Sequence, residues 1–156
     1  MNDDQARALR ALVRTQNVVA LGTLHDGEPF VSMAPYAQRA DDAGFIIHVS
    51  RLAAHTRDML ASPRVSLLIM AAASDSPQSR GRVTIQGDAR PLETGSAEYA
   101  AARAAYLARF PDAAHIFELA DFSLFRIAPV SARVVGGFAQ AFSVGAESLS
   151  RVLRDS

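Results

Sequence analysis

Near the start of the chain apolar residues recur at helical spacing. Ala6, Leu9, Leu12 and Val13 share one face, with Asp3 or Asp4 ahead of them to cap a first helix. The rhythm then changes. Val18 to Leu24 is β-branched and apolar, and His25-Asp26-Gly27 closes it with an Asp-Gly hairpin signal. Pro29 to Tyr36 is the return strand, and Pro35 predicts that it lies at an edge or leaves the ladder. Asp41-Asp42-Ala43-Gly44 makes a second turn before the strand Phe45–Ser50. A short helix fits Leu52 to Ala61, with Ser50 near its start and Pro63 beyond its end.

Val65 to Met70 reads as a strand buried on both faces. The polar stretch Ala71 to Gly81 has the length of a loop that borders a site. Arg82 to Arg90 alternates with period two, and Gly87 predicts a bulge. From Ser96 to Phe110 the pattern is helical again, with Tyr99, Ala102, Tyr106 and Phe110 on one face as core. The strand Phe122–Ile127 follows, then a turn at Ala128-Pro129 and the strand Ala132–Val135, which leads into Gly136-Gly137-Phe138. Leu149, Val152 and Leu153 in the polar tail Ser143–Ser156 predict a last helix packing on a partner. About six strands with three short helices, hairpin-linked early, give an α+β, mainly β fold: a six-stranded antiparallel barrel with short flanking helices.

With 156 residues the chain is a single domain at roughly 100–200 residues per domain, and 49% hydrophobic residues supply one core. Basic and acidic residues balance at 16 each, so no basic field is available to hold a nucleic acid. Cysteine is absent, which removes disulfides, thiolate nucleophiles and Cys-ligated metals. Lysine is absent too: every basic residue is arginine. Schiff-base chemistry and the P-loop lysine are therefore excluded. The charged N-terminal stretch lacks a signal-peptide centre, and no run reaches the ~18 apolar residues of a membrane helix, so the expected location is cytoplasmic, with no membrane partner.

Gly44 to Leu67 is the stretch richest in candidate chemistry. A strand ends at His48-Val49-Ser50, a tight turn follows, and a helix opens with His55 and Thr56. A helix start offers free N–H groups and partial positive charge to an anion, and Ser50, Arg51, Thr56 and Arg57 add donors. The alternative is an ordinary capped helix with solvated His and Arg side chains. His48 reads equally as a core histidine or a cofactor contact, His25 as an exposed turn residue, and His115 as structural. The scattered histidines have no metal-ligand spacing, so no metal is expected. No Gly-x-Ser-x-Gly elbow occurs, and Gly136-Gly137 lacks the following helix of a dinucleotide fingerprint. Arg82, on a strand otherwise facing the core, needs an anionic partner if its guanidinium is buried, which makes it a candidate for a cofactor.

Four colinear segments carry a family resemblance: Ser32-Met33-Ala34-Pro35-Tyr36, Ser50-Arg51-Leu52-Ala53-Ala54-His55-Thr56, Arg82-Val83-Thr84-Ile85-Gln86-Gly87 and Arg133-Val134-Val135-Gly136-Gly137-Phe138. Together with Ser62-Pro63-Arg64-Val65-Ser66-Leu67 they resemble the pyridoxamine 5′-phosphate oxidase-like FMN-binding split-barrel proteins, and within them the HugZ-like, haem-utilisation branch. The resemblance runs from about Val18 to Ala141. It implies a single split-barrel domain over 1–156, with the barrel at about 15–141 and residues 142–156 as a C-terminal tail or helix. It implies a homodimer holding FMN in the groove between subunits, and an FMN-dependent oxidoreductase acting on a small substrate. By position, Ser32, Met33, Ala34 and Tyr36 would run beside the flavin ring. His48, Val49 and Ser50 would line the ring and ribityl chain, His55 and Thr56 would grip the phosphate, and Arg82 would contact the cofactor from the next strand. Gly137 and Phe138 would approach the flavin, glycine permitting close backbone passage.

Departures from the family pattern keep other readings open. The oxidases place an Arg-Lys pair where this chain has Ala54-His55, so a fixed charge at the phosphate is missing. Their Arg-Leu signature for pyridoxamine phosphate is absent, which disfavours pyridoxal phosphate synthesis. Haem degraders of the HugZ type carry a further C-terminal extension, in some members with a ligating His, and no His follows His115 here. The alternatives are a haem-binding, haem-utilisation protein using the same groove, or a non-catalytic module that has lost its cofactor.

Overall fold

The computed structural model of the chain describes residues 1–136 and 140–154. Helix α1 (Asp3–Thr15) begins at Asn2 rather than at either aspartate. The Asn2 side chain accepts from the Gln5 N–H while the Gln5 side chain accepts from the Asn2 N–H, a reciprocal capping box. Asp3 and Asp4 fill the first turn, where negative charge suits the helix N-terminus. Leu9 and Val13 turn inward as the spacing predicts.

Strands β1 (Val18–His25) and β2 (Glu28–Pro35) form the expected hairpin. Asp26 and Gly27 both take positive φ, 50° and 81°, the backbone that a two-residue primed turn requires and that Asp-Gly tolerates. After them come β3 (Ala37–Gln38), β4 (Phe45–Ser50), α2 (Ala54–Ala61), β5 (Arg64–Met70), β6 (Arg82–Pro91), α3 (Ala97–Arg109), β7 (Phe122–Val135), β8 (Ala141–Gly145) and α4 (Ala146–Arg154). The strands form one antiparallel sheet in the order β2-β1-β5-β6-β7-β4-β3, with β8 paired to β7. The sheet curls into the expected split barrel. Among the described residues it has eight strands rather than six, and β2 lies at an edge as Pro35 predicts.

The turn expected at Ala128-Pro129 does not exist. β7 is one strand of 14 residues. Its pairing with β6 shifts between Gln86 and Gly87: Gln86 faces Ser131 while Gly87 faces Pro129, so Val130 is the extra residue of a bulge. A Cβ at Gly87 would lie 2.7 Å from the Ala128 carbonyl oxygen, which explains the glycine. On its other edge β7 pairs with β4 through Phe122–Ile127 and with β8 through Ser131–Val135. Pro129, which has no N–H to donate, falls at the seam between them.

β5 corrects a second expectation. Val65, Leu67 and Ile69 are buried, but Ser66 and Leu68 are only half-buried and Met70 is exposed, so one face alone is covered. The tail is a third correction: α4 packs on its own barrel, not on a partner. Leu149, Val152 and Leu153 join the main core, and Arg10 Nε of α1 donates to the Val152 carbonyl at 2.9 Å. Burial of these side chains contributes on the order of 5 kcal/mol as an upper bound.

The core is divided by β4. Phe45, Ile47 and Val49 face the barrel interior with Leu21, Leu67 and Ile85. Ile46 and Leu124 face α3, where Ala102 and Tyr106 cover them. The outer face of the β1–β2 hairpin is uncovered, with Val31 70% and Met33 62% exposed, and Val18 and Leu24 exposed beside them. Among the described residues no helix is long and apolar enough to cross a membrane.

Candidate functional site

Strand alternation decides which hairpin residues can meet α2. Thr23, His25 and Ser32 point to the inner side of β1 and β2, while Leu24, Val31 and Met33 point outward. The α2 helix lies against the inner side, and polar contacts join the two. Ser32 Oγ and His55 Nδ1 are 2.9 Å apart. Thr23 Oγ1 donates to Asp58 Oδ2 at 2.7 Å, and His25 Nδ1 lies 2.7 Å from Asp58 Oδ1. Both Thr23 and Asp58 are buried.

The electrostatics follow from this geometry. Burial raises the Asp58 carboxyl, but the hydrogen bonds from Thr23 and His25, with the His25 and Arg57 charges, outweigh it and hold the group below the ordinary carboxylate range. An ionised Asp58 can only accept, so the hydrogen between it and His25 sits on Nδ1. For His55, burial pushes the imidazole down from its usual range, and the Asp58 charge opposes this in part. His55 is therefore a neutral donor or acceptor near pH 7 rather than a cation.

At the head of α2 most polar groups are engaged locally. The Thr56 side chain is buried and donates to the Ser50 carbonyl at 2.6 Å. Ser50 Oγ donates to Asp121 Oδ2 at 3.2 Å and accepts from the Leu52 N–H. The Arg51 guanidinium donates to the Ala120 carbonyl. Ala53 occupies the cap position without a side-chain hydrogen bond, so the turn is held by Ser50 and Thr56 instead.

The remaining sequence candidates are spread over the molecule. Met33 lies on the uncovered outer face, while Ala34 is buried. Tyr36 is in the core, its hydroxyl donating to the Val13 carbonyl and its ring 5.6 Å from Phe45; burial raises the phenol, with Arg109 opposing. His48, 7% exposed, points toward α3 while Val49 points into the barrel. The His48 ring stacks on Phe117 at 3.9 Å and meets Tyr106 edge-on. Burial, reinforced by Arg103, pushes it down to about 4. Arg82, half-buried at the start of β6, donates through Nη1 to the Arg80 carbonyl at 3.0 Å. Gly137 and Phe138 lie outside the described residues. Ser32 and His55 are thus brought together, and Ser50 and Thr56 beside them, whereas Met33, Tyr36, His48 and Arg82 are elsewhere.

Sequence reasoning missed the Thr23–His25–Asp58 group. The signal was present in the period-two placement of Thr23 and His25 on one face of β1. Beside the group is a cavity of about 640 Å³, bordered by Leu24, His25, Gly27, Arg57 and Ala61. Phe30, on the same inner side of the hairpin, places its ring 5.3 Å from that of His25.

Comparison with known proteins adds a second line of observation. A sequence profile described as pyridoxamine 5′-phosphate oxidase matches residues 6–136. "Non-canonical heme oxygenase HOZ, chloroplastic" of Arabidopsis thaliana is 43% identical over 119 residues, 76% of this chain and 35% of that protein. "Heme oxygenase HutZ" of Vibrio cholerae is 31% identical over 79% of this chain and 70% of its own length. Among solved structures, a heme binding protein from Mycobacterium smegmatis superposes with a TM-score of 0.86 and 31% identity, over 96% of this chain and 61% of that one. The chain therefore spans about a third of the Arabidopsis protein and three-fifths of the mycobacterial one.

Proposed function

This chain belongs to the pyridoxamine 5′-phosphate oxidase family, and from that premise we propose that it is a haem-handling member that binds haem as substrate or cargo. The observation that carries the reading is the agreement among relatives aligned over most of the chain, each named for heme. The site supports it from another side. A phosphorylated flavin needs a grip on its phosphate, and without lysine in the chain that grip falls to arginine, histidine, hydroxyl and main-chain donors. The Thr56 and Ser50 hydroxyls are engaged by Ser50 O and Asp121. Haem is held differently, through an iron ligand, apolar faces and cations for its propionates.

The family profile itself favours a second reading, an FMN-dependent oxidoreductase acting on a small substrate. Bound FMN would supply the redox chemistry, and His55 and Arg57 are the residues at α2 best placed to meet its phosphate. In either case we propose that the uncovered face of β1 and β2, with Val31 and Met33 at its centre, is closed by a second copy of the chain.

One set of spectra separates the readings. Haemin added to the purified protein is expected to give a Soret band saturating at one haem per chain, and FMN to leave its own fluorescence unquenched. Quenched FMN with no Soret shift would reverse the assignment. Reductant and dioxygen added to the haemin complex then test turnover through loss of the Soret band.

A further inference from the structure

With lysine absent, the fixed positive charge on this chain's side chains is arginine alone, and three arginines from separate elements meet at one cavity. Arg14 comes from the last turn of α1, Arg39 directly follows β3, and Arg109 ends α3. Among the described residues no acidic side chain lines this cavity. Arg109 is partly engaged already. Its Nη1 donates to the Arg14 carbonyl at 2.9 Å and its Nη2 to the Gln16 carbonyl, which covers the open end of α1. Its Nε is buried with no hydrogen-bond partner, the one such side-chain atom among the described residues. A buried donor left unpaired is costly, and a bound group is one of the ordinary explanations for it. Arg39 is held by the exposed Asp41 through Nε at 2.9 Å and Nη2 at 2.5 Å, which leaves Nη1 to donate elsewhere.

We propose that this cavity is a binding site for a small anion, a phosphate or carboxylate group carried on a compact molecule. Guanidinium N–H groups match the oxygens of both. The carbonyl end of α1 would by itself repel negative charge. Arg109 covers those carbonyls and sets a positive charge in front of them. The cavity volume, about 290 Å³, is at the low end of small-molecule sites, roughly 300–1,000 Å³, so its occupant is smaller than a porphyrin or a flavin. Leu153 and the Tyr36 ring give it an apolar wall, the Tyr36 hydroxyl being committed to the Val13 carbonyl. The neighbouring groove between α1 and α4 also has arginines, but Asp3 lines it too, and its Arg7 and Arg151 pair with Asp4 and Glu147 on their own helices. An anion held by Arg14, Arg39 and Arg109 would tie α1, β3 and α3 together, so its binding acts on the stability of the whole chain. The site shares no residue with the contacts between α2 and the hairpin, and it stands whether or not haem binds.

The test uses the full chain in a buffer without phosphate or carboxylate. It is titrated with inorganic phosphate and separately with citrate, sodium chloride holding the ionic strength constant, and binding is read by calorimetry and by Tm. One saturable site per chain is expected for at least one probe, with Tm raised by roughly 5 °C at a hundredfold excess over Kd. Arg39→Gln leaves the cover on α1 intact and should lose about tenfold in affinity. Arg109→Lys keeps the charge without Nε and should lose as much. Arg151→Gln, in the neighbouring groove, should bind as wild type does. Should Arg109→Lys not fold, Arg39→Gln decides. A response to phosphate alone supports a phosphate site, and a response to citrate alone a carboxylate site. No saturable site for either probe would overturn the assignment. So would wild-type affinity in Arg39→Gln or in a folded Arg109→Lys, or an equal loss in Arg151→Gln.

Discussion

The Asp58 carboxylate, shut away from bulk water, is one of the side chains that pin α2 to the hairpin. Replacing it with alanine leaves the Thr23 hydroxyl and the His25 ring without their acceptor. Asp58→Ala should therefore lose about 2 kcal/mol in urea denaturation. Its folded carboxyl titrates below its unfolded one, so the stabilisation is complete above the unfolded value of 3.8 and is lost as pH falls through the lower folded value. His48 behaves in the same direction at higher pH. Burial favours its neutral form, so its contribution is full above pH 6.5 and disappears as pH falls toward 4. His48→Phe, which keeps the stack on Phe117, should flatten the stability profile over that window, measured as Tm against pH. These roles were only half legible. The sequence displays His25 beside Asp26 and Gly27 and reads it as a turn residue, because its partner Asp58 is 33 positions away. Arg82 called for an anion only on the premise of full burial; at the strand's start its guanidinium reaches a carbonyl instead.

The secondary-structure elements were more legible than their partners. Asp26-Gly27, the spacing in α1 and α3 and the bulge glycine each act through local backbone or periodicity, which the sequence states directly. Pro129 misled because a proline inside an apolar run normally ends a strand, and only the fold reveals that its missing donor falls between β4 and β8. The helix α4 showed its apolar stripe in Leu149, Val152 and Leu153, but no stripe names the surface that covers it. Gly87 supports a prediction at this level. Gly87→Ala would bring a Cβ against the Ala128 backbone and Ile127 Cγ2, both under 3 Å, so a loss of about 2 kcal/mol is expected in thermal or chemical melts.

For the molecule as a whole, the exposed Val31 and Met33 side chains lie on the opposite side of β1 and β2 from Thr23, His25 and Ser32. Assembly and the contacts that hold α2 should therefore separate under mutation. Val31→Asp combined with Met33→Glu is expected to convert a dimer into a monomer by sedimentation equilibrium while the fold survives, since both side chains already face solvent in the single chain. An unchanged mass would mean that this face is not the interface. The seam in β7 has its own consequence for motion. Backbone amides flanked by strands on both edges open only when a neighbour detaches, whereas Ala128 and Val130 have a partner strand on one edge at most. Deuterium uptake should accordingly reveal two slow blocks, Leu124–Ile127 with β4 and Ala132–Val134 with β8, divided by a quickly labelled stretch. Each block would open as its own cooperative unit, so the barrel could loosen at one end while the other stays closed.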